Sequence, residues 1–388
     1  MSDKFTLRVM LLGGRRIGKT TILASMYNCI KNNNFFSDTP FIYNPDNFTS
    51  EEALVAKANE LKKYFINASK NENFSTDDIP TEGDITYSYV LKLKNKEKSE
   101  IGIEYYDYPG EWLTKEEKYE KMKEEIKKSH ILVIVLDTPY LMEEDGYYNE
   151  DRNHCYLITT KVMGSFIGTT NNEFIKDKMV LFLPIKCEYK AEKGDISKVT
   201  DSVKREYESL ISSLKDCNCT IAILPILTLG TALFTDFERD SKDKLIFVKD
   251  ESGKEMYPKA LYYFSKRATE IAIEKKLNYK YSDDPKYCEQ PLLYIVLFAI
   301  KMYIKIKGEK TNKISSNVFS NKISSNLFSI FLREFGGLLG QIISNLFTTT
   351  FLKWATVEDF IKNKSVIEEK IKVSGDGFEI ISDPLHIF

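Results

Sequence analysis

The sequence predicts an α/β protein built on a doubly wound, mainly parallel β-sheet. Three apolar segments, at residues 129–139, 179–188 and 220–230, have the composition of strands that are covered on both faces. Stretches with helical spacing of apolar side chains lie between them, at 114–129 and 195–216. Strands that alternate with helices in this order are typical of a parallel sheet with helices on both faces.

The other predicted elements extend this pattern toward both ends of the chain. Polar, turn-rich segments separate the predicted strands and helices. In two places a short polar turn joins two predicted strands, which predicts a β-hairpin. In chain order they are a buried strand at 6–13, helices at 19–32 and 51–68, a hairpin from strands at 85–94 and 99–110, a second hairpin at 244–258, and an apolar helix at 288–306 with a proline near its start.

The length of the chain predicts an elaborated domain with an appendage. At 388 residues it exceeds the size that one compact core usually serves. We predict a first domain over residues 1–307 and a mostly helical accessory region over residues 308–388. The first domain is predicted to carry insertions near 45–70, 140–175 and 233–285.

The composition limits the classes of partner. A net charge of -2 argues against a general attraction to nucleic acid, so we predict no direct nucleic-acid partner. The first ten residues show no leader pattern, which predicts a cytoplasmic protein. Six scattered cysteines and three histidines form neither a disulfide framework nor a zinc pattern, and we predict reduced, structural cysteines.

Two features stand out in the accessory region. A nine-residue segment at 312–320 is nearly repeated at 321–329, which is too few copies for a solenoid. The apolar stretch at 327–347 is interrupted by two charged residues and two side-chain amides, which makes it a poor membrane span. We therefore favour a buried or partner-facing helix over membrane contact. The polar residues are Arg333, Glu334, Gln341 and Asn345.

A glycine-rich stretch between the first predicted strand and helix matches G-x-x-x-x-G-K-[ST], the pattern of a P-loop. Glycines let backbone amides turn toward an anion, and the helix N-terminus adds partial positive charge. Lys19 is predicted to bridge the β and γ phosphates, and Thr20 to offer its hydroxyl to Mg²⁺. The predicted phosphate-binding residues are Gly13, Gly14, Arg15, Arg16, Ile17, Gly18, Lys19, Thr20 and Thr21.

A second motif, D-x-x-G, lies at the end of the predicted strand at 99–110. Its carboxylate, Asp107, is predicted to hold the Mg²⁺ shell through water. The amide of Gly110 can reach a γ phosphate because glycine places no side chain in between. A P-loop alone does not choose between ATP and GTP, and the D-x-x-G motif adds to the evidence for a nucleoside-triphosphate site.

The third motif would recognise the base. P-loop GTPases usually have [NT]-K-x-D after a buried strand, where the lysine stem covers the purine and the carboxylate accepts hydrogen bonds from guanine. Here Lys186 and Glu188 keep that spacing, but Ile185 replaces the usual Asn or Thr. After the next strand, the backbone at Leu229 is predicted to contact the guanine oxygen. The altered motif leaves an ATP-preferring protein as an alternative.

These motifs together resemble the TRAFAC class of P-loop GTPases. The segment D-Y-P-G-E-W at 107–112 is similar to YcjX-like proteins and to GTPase domains of prokaryotic conflict systems. The resemblance covers roughly residues 5–232. It implies a Ras-like G domain with insertions, binding of GTP or GDP with Mg²⁺, and slow hydrolysis coupled to a conformational change. A role in antiviral defence is expected from this likeness alone.

The resemblance also assigns three catalytic candidates. A switch threonine normally closes over the metal, and Thr81 is the favoured candidate, with Thr76 and Thr86 as alternatives. Glu111 stands where Ras-like proteins carry a water-orienting glutamine, although its charge opposes the developing anion. Arg16 occupies the loop position at which GTPases resembling dynamins and guanylate-binding proteins carry an internal arginine finger, unless it points to solvent.

The sequence leaves three hypotheses for function. The first is a GTPase switch whose loops at 70–85 and 108–125 control a protein partner or self-association, together with residues 308–388. The second is a nucleotide-binding interaction module with little hydrolysis, which the absence of a water-orienting glutamine favours. The third is a membrane-associated GTPase, which would require residues 327–347 to bind lipid.

Overall fold

A computed structural model defines the fold of most of the chain. The described residues are 5–32, 41–45, 48–78, 85–93, 100–144, 146–167, 177–250, 252–274, 276, 285–319, 364–372, 374–384 and 386. The described strands are β1 (Phe5–Leu12), β2 (Phe41–Pro45), β3 (Ile85–Leu93), β4 (Glu100–Asp107), β5 (Ile131–Asp137), β6 (Met179–Ile185), β7 (Thr220–Ile223), β8 (Ala232–Phe237), β9 (Phe247–Lys249), β10 (Glu255–Pro258), β11 (Ala260–Phe264), β12 (Ser374–Gly375) and β13 (Phe378–Ser382).

The helices lie between these strands, as the sequence predicts. They are α1 (Lys19–Asn32), α2 (Phe48–Ala68), α3 (Tyr119–Lys128), α4 (Thr138–Leu141), α5 (Asn149–Asn153), α6 (Cys155–Val162), α7 (Glu188–Glu192), α8 (Ile196–Glu206), α9 (Glu208–Asp216), α10 (Lys266–Glu274), α11 (Gln290–Phe319) and α12 (Ser365–Glu368). Short 3₁₀ turns occur at Thr76–Asp78, Gly110–Leu113 and Glu116–Lys118, and a π-helical turn at Met163–Ile167.

Within the described residues, nine strands form one central sheet in the order β12-β13-β7-β6-β5-β1-β4-β3-β2. The five strands from β7 to β4 run parallel, and antiparallel strands extend the sheet at both edges. Every residue of β5 and β6 is buried, because helices cover both faces of the sheet. The predicted fold class, a doubly wound and mainly parallel sheet, is confirmed.

Two apolar layers sandwich the sheet. Alternation along β1 sends Leu7, Val9 and Leu11 to one face and Met10 and Leu12 to the other. The first layer is completed by α1 and by residues 290–300 of α11, all of which are buried, and the second layer by α3, α8 and α9. This two-sided packing fixes the strand ends at which the site described below is built.

The β8–β11 segment forms a smaller structure beside the sheet. β8 pairs antiparallel with β11, and β9 with β10, as the predicted hairpin at 244–258 requires. An aromatic core joins this structure to the end of α2. It includes Phe65, Phe74, Tyr140, Tyr257 and Tyr262.

The segment predicted as a third long strand, residues 220–230, is a strand only from Thr220 to Ile223. Beyond it, the backbone N–H groups of Leu224 and Ile226 still donate to the carbonyl oxygens of Phe182 and Pro184 in β6. The rest of the segment becomes a loop that brings Thr228 and Leu229 to the edge of the cavity described below.

The described part of the accessory region joins the central sheet. Helix α11 continues across the predicted boundary at residue 307, and β13 pairs antiparallel with β7. The division into residues 1–307 and 308–388 therefore stays a prediction. The second copy of the near-duplication and the apolar stretch at 327–347 lie outside the described residues. In the part of the chain that is described, no helix combines the length and hydropathy that crossing a bilayer requires.

Candidate nucleotide-binding site

The glycine-rich loop connects β1 to α1 with three residues of positive φ, namely Gly13, Arg16 and Gly18. Gly18 has a φ of +114°, and a Cβ placed there would lie 2.8 Å from Cδ1 of Ile185, so glycine is needed. Arg16 has a φ of +57°, which is uncommon for a residue with a side chain. The surroundings must therefore hold the loop in this conformation.

Lys19 lies folded back across the loop. Its Nζ donates hydrogen bonds to the carbonyl oxygens of Gly13 and Gly14, each at 3.0 Å, and it lies 5.1 Å from the centre of the Tyr108 ring. Burial lowers the pKa of Lys19, and the nearby Asp107 carboxylate partly opposes that shift. The ammonium group is thus placed at the mouth of a loop that is suited to bind polyphosphate.

Thr20 and Asp107 meet directly. The Oγ1 of Thr20 donates to Oδ2 of Asp107 at 2.5 Å, although the two residues belong to different motifs. They meet because β1 and β4 are parallel neighbours, with Leu11 opposite Asp107, so both motifs follow the same sheet edge. A hydroxyl and a carboxylate are oxygen ligands of the kind that Mg²⁺ prefers, so the pair fits that ion.

The D-x-x-G turn packs against the glycine-rich loop. A Cβ on Gly110 would lie closer than 3.0 Å to the backbone nitrogen of Arg15 and the carbonyl group of Gly14, which real Cβ atoms do not do. The hydroxyl of Tyr108 lies 3.3 Å from the backbone nitrogen of Gly13. The two motifs are therefore in backbone contact.

A cavity of about 60 Å³ lies between these motifs. Of the predicted site residues, it is lined by Arg15, Arg16, Ile17, Gly18, Lys19, Thr20, Thr21, Asp107, Gly110, Glu111, Lys186 and Leu229. Gly13, Gly14 and Glu188 do not line it, and Thr81 lies outside the described residues. Of the alternatives to Thr81, Thr76 lines the cavity and Thr86 lies in β3. The roles of all these residues stay predictions.

The residues predicted to recognise the base have other partners here. The Nζ of Lys186 is 2.8 Å from Oδ2 of Asp137 and 3.0 Å from Oγ1 of Thr76. The buried carboxyl of Glu188 accepts a hydrogen bond from the backbone N–H of Leu229. The Glu188 carboxyl and the Leu229 amide, which the sequence predicts to contact guanine, are thus hydrogen-bonded to each other.

Because burial raises the pKa of Glu188 to about 8, its proton affects stability. Above the ordinary value of 4.5 the unfolded chain loses this proton, whereas the folded chain keeps it up to about pH 8. The free energy of unfolding is expected to fall between these pH values, by up to about 1.4 kcal/mol per pH unit. We expect Glu188→Gln to flatten this slope in urea unfolding at pH 5 to 8, because an amide oxygen still accepts from Leu229.

Glu120→Gln is the matched control, since that side chain is 72% exposed on α3. It should leave the pH dependence of unfolding as in the unchanged protein. Equal slopes for Glu188→Gln and the unchanged protein would contradict the prediction.

Sequence reasoning missed a buried group of four charges beside the loop. We call Asp77, Asp137, Arg152 and Lys186 the Arg152 cluster. The guanidinium of Arg152 bonds to the carbonyl oxygens of Arg15 and Arg16 as well as to the two carboxylates. Of these residues, the sequence singles out Lys186, for base recognition, and Asp137 has a signal as the polar residue that ends a buried strand. Arg152 stands among polar residues typical of an exposed loop.

Comparisons with solved structures return GTPase domains at low similarity. The Ski7 GTPase-like domain of S. cerevisiae bound to GTP has 13% identity and a TM-score of 0.31, covering 59% of this chain and 44% of that chain. Roco2 RocCORdC of Methanosarcina barkeri bound to GDP has 12% identity and a TM-score of 0.25, covering 98% and 73%. The bacterial dynamin LeoA from ETEC has 10% identity and a TM-score of 0.21, covering 92% and 66%.

Scores this low carry no argument about this chain, which also spans less than half of the Ski7 chains. No curated protein matches the sequence. A family model described as Double-GTPase 2 matches residues 8–159, which is less than half of the chain but includes the P-loop and D-x-x-G motifs. The match confirms the predicted resemblance of this region to P-loop GTPases, and the narrower likeness to YcjX-like proteins stays a prediction.

Proposed function

We propose that this chain binds guanine nucleotides and hydrolyses GTP with Mg²⁺, and that hydrolysis changes the loops beside the site. The observation that carries the proposal is the 2.5 Å contact between Thr20 and Asp107 in the cavity that Lys19 also lines. The ammonium of Lys19, the hydroxyl of Thr20 and the carboxylate of Asp107 support the proposal because they lie beside one glycine-rich loop, whose backbone amides are proposed to turn toward the phosphates. Few ligands other than a polyphosphate with a hard cation use all four groups.

Each residue has a defined part in this proposal. Thr20 and Asp107 hold Mg²⁺, which when bound neutralises phosphate charge, and Thr81 is the proposed switch threonine. Lys19 stabilises the charge that spreads over the γ-phosphate oxygens as water attacks and the bond to the β phosphate breaks. Glu111 accepts a hydrogen bond from the attacking water, and Arg16 acts as a finger from within the same chain.

Base recognition in this proposal requires Glu188 to exchange partners. Guanine offers N–H donors that can replace the Leu229 amide at the Glu188 carboxyl, which releases its proton in order to accept them with both oxygens. Leu229 is then free to donate to the guanine oxygen. Lys186 lines the same cavity and is proposed to cover the purine with its aliphatic stem.

The wider role is proposed from the sequence and from the family likeness. It comprises a cytoplasmic location, a protein partner or self-association through the loops at 70–85 and 108–125 and the accessory region, and a place in a conflict system.

Calorimetric titration with GTP, GDP, ATP and ADP, each with and without Mg²⁺, tests the proposal. We expect guanine nucleotides to bind more tightly than adenine nucleotides, and GTP affinity to require Mg²⁺. Asp107→Asn should weaken Mg²⁺-dependent GTP binding by about 10- to 100-fold, the usual effect of changing a group that supports a metal through water.

Asp201→Asn is the control, because this aspartate is 71% exposed on α8. It should bind GTP as the unchanged protein does. A preference for adenine nucleotides, or affinity that is independent of Mg²⁺ and of Asp107, would overturn the proposal. Tight GTP binding without phosphate release over hours would favour the nucleotide-binding interaction module.

A further inference from the structure

Arg152 is a buried arginine on α5 that contacts the glycine-rich loop from behind. Its side chain has no exposed surface. The neighbouring Asn153 fixes the position of α5, because its amide group bonds to both the backbone N–H and the carbonyl oxygen of Asp137, at 2.7 and 3.2 Å. Arg152 is thus anchored to the end of β5, the strand next to β1.

The guanidinium of Arg152 holds two consecutive peptide groups of the loop. Its Nη1 donates to the carbonyl oxygen of Arg15 at 3.3 Å, and its Nη2 to that of Arg16 at 3.2 Å. In a planar trans peptide the N–H points opposite to the C=O. The N–H groups of Arg16 and Ile17 are therefore directed away from Arg152, in a stretch whose residues line the cavity.

This pair of contacts explains the unusual backbone of Arg16. A φ of +57° is disfavoured for a residue with a side chain. It persists where surrounding contacts over-determine it. The hydrogen bonds from Arg152 to the carbonyl groups on both sides of the Arg16 φ angle provide that restraint.

The rest of the Arg152 cluster holds the guanidinium in place. The Nε and Nη2 atoms of Arg152 lie 2.9 and 2.7 Å from Oδ2 of Asp137. Its Nη2 also lies 3.1 Å from Oδ1 of Asp77. The Cζ atom of Arg152 lies 4.3 Å from the ring centre of Tyr257. The two carboxylates balance the charges of Arg152 and Lys186, which offsets the cost of burial. Only the planar fork of arginine can reach this many partners at once, and lysine cannot.

We propose that Arg152 is a positioning residue, which orients the amides of the glycine-rich loop for nucleotide phosphates without touching the nucleotide. The inference rests on the proposed function and deepens it. Loop amides cradle the phosphates rather than the base. Loss of the fork should therefore weaken phosphate recognition selectively.

The test compares GDP with GMP, which differ in the β phosphate. The affinities of the full chain and of its Arg152→Lys variant for GDP and for GMP are measured by competition against a fluorescent GDP analogue. The quantity compared is the ratio of the Kd for GMP to the Kd for GDP. We expect the ratio to fall by about tenfold or more in Arg152→Lys, since hydrogen bonds of charged groups orient the loop. A purely structural loss would reduce the folded fraction, lower both affinities equally and leave the ratio unchanged.

A second variant tests the same prediction if Arg152→Lys folds poorly. Asp77→Asn leaves both Arg152 contacts to the loop but removes one carboxylate that holds the guanidinium, so the ratio should fall less, in the same direction. Arg205→Lys is the control, because that side chain is 67% exposed, and it should keep the ratio.

The outcomes separate the two proposals. A ratio that stays unchanged in both Arg152→Lys and Asp77→Asn, with GDP still bound by the unchanged protein, overturns the role of Arg152 alone. Failure of the unchanged protein to bind GDP overturns the proposed function, and the role of Arg152 with it.

Discussion

Lys19→Ala is expected to abolish tight GTP binding and GTP hydrolysis while the protein stays folded. In the structure Nζ bonds to the carbonyl oxygens of Gly13 and Gly14, and burial lowers its pKa, so the protein bears a cost for keeping this charge inside. Removing the charge should therefore leave the free energy of unfolding about the same or higher. Loss of hydrogen bonds between the ammonium and two phosphates should weaken GTP binding by about 100-fold or more.

Calorimetry with GTP and Mg²⁺, phosphate-release kinetics and urea unfolding measure the three quantities separately. Lys198→Ala is the matched control, since that lysine is 63% exposed and pairs with Asp195, the residue just before its helix. It should change none of them. If Lys19→Ala keeps the affinity of the unchanged protein, the glycine-rich loop does not bind the phosphates.

The parts of the fold that the sequence predicts are those governed by local pattern. β5 and β6 are apolar throughout because both of their faces are covered, and this composition is visible without a structure. The contact between Thr20 and Asp107 also follows from pattern, since each motif lies at the carboxyl end of a parallel strand. Motif spacing and strand order together bring such residues to one edge.

The Arg152 cluster shows what local pattern cannot predict. Asp77, Asp137 and Arg152 come from three separate segments, and their pairing is visible only after β5 and α5 are packed beside the loop. Glu188 shows a second limit. The K-x-E spacing predicts where its backbone lies, but the choice between guanine and the Leu229 amide depends on side-chain conformation and burial.

β13 shows a third limit of pattern. Its sequence contains Phe378, Ile380 and Ile381, which favour a strand, but no local pattern shows that it pairs with β7, which lies far away in the sequence. A contact of this kind is stabilised by tertiary packing and not by local preference. For this reason the sequence predicts a mostly helical accessory region but not the pairing of β13 with the central sheet.

Gly110→Ala is expected to have the second large effect. The added Cβ would lie closer than 3.0 Å to the backbone of Gly14 and Arg15, and backbone atoms cannot move aside as the end of a flexible side chain can. The D-x-x-G turn must then shift away from the loop, at a cost of about 1–3 kcal/mol in the free energy of unfolding. Because the Gly110 amide is proposed to reach the γ phosphate, GTP hydrolysis should fall by about 100-fold, as for other lost backbone donors to reacting groups.

Gly164→Ala separates this effect from the general consequence of adding a methyl group. A Cβ on Gly164 meets no atom within 4 Å, so this variant should unfold and hydrolyse GTP as the unchanged protein does. The comparison of GDP with GTP then identifies the cause in Gly110→Ala. If the Gly110 amide binds the γ phosphate, the affinity for GTP falls more than the affinity for GDP. Equal losses of the two affinities would mean that the methyl group disturbs only the loop and that Gly110 does not bind the γ phosphate.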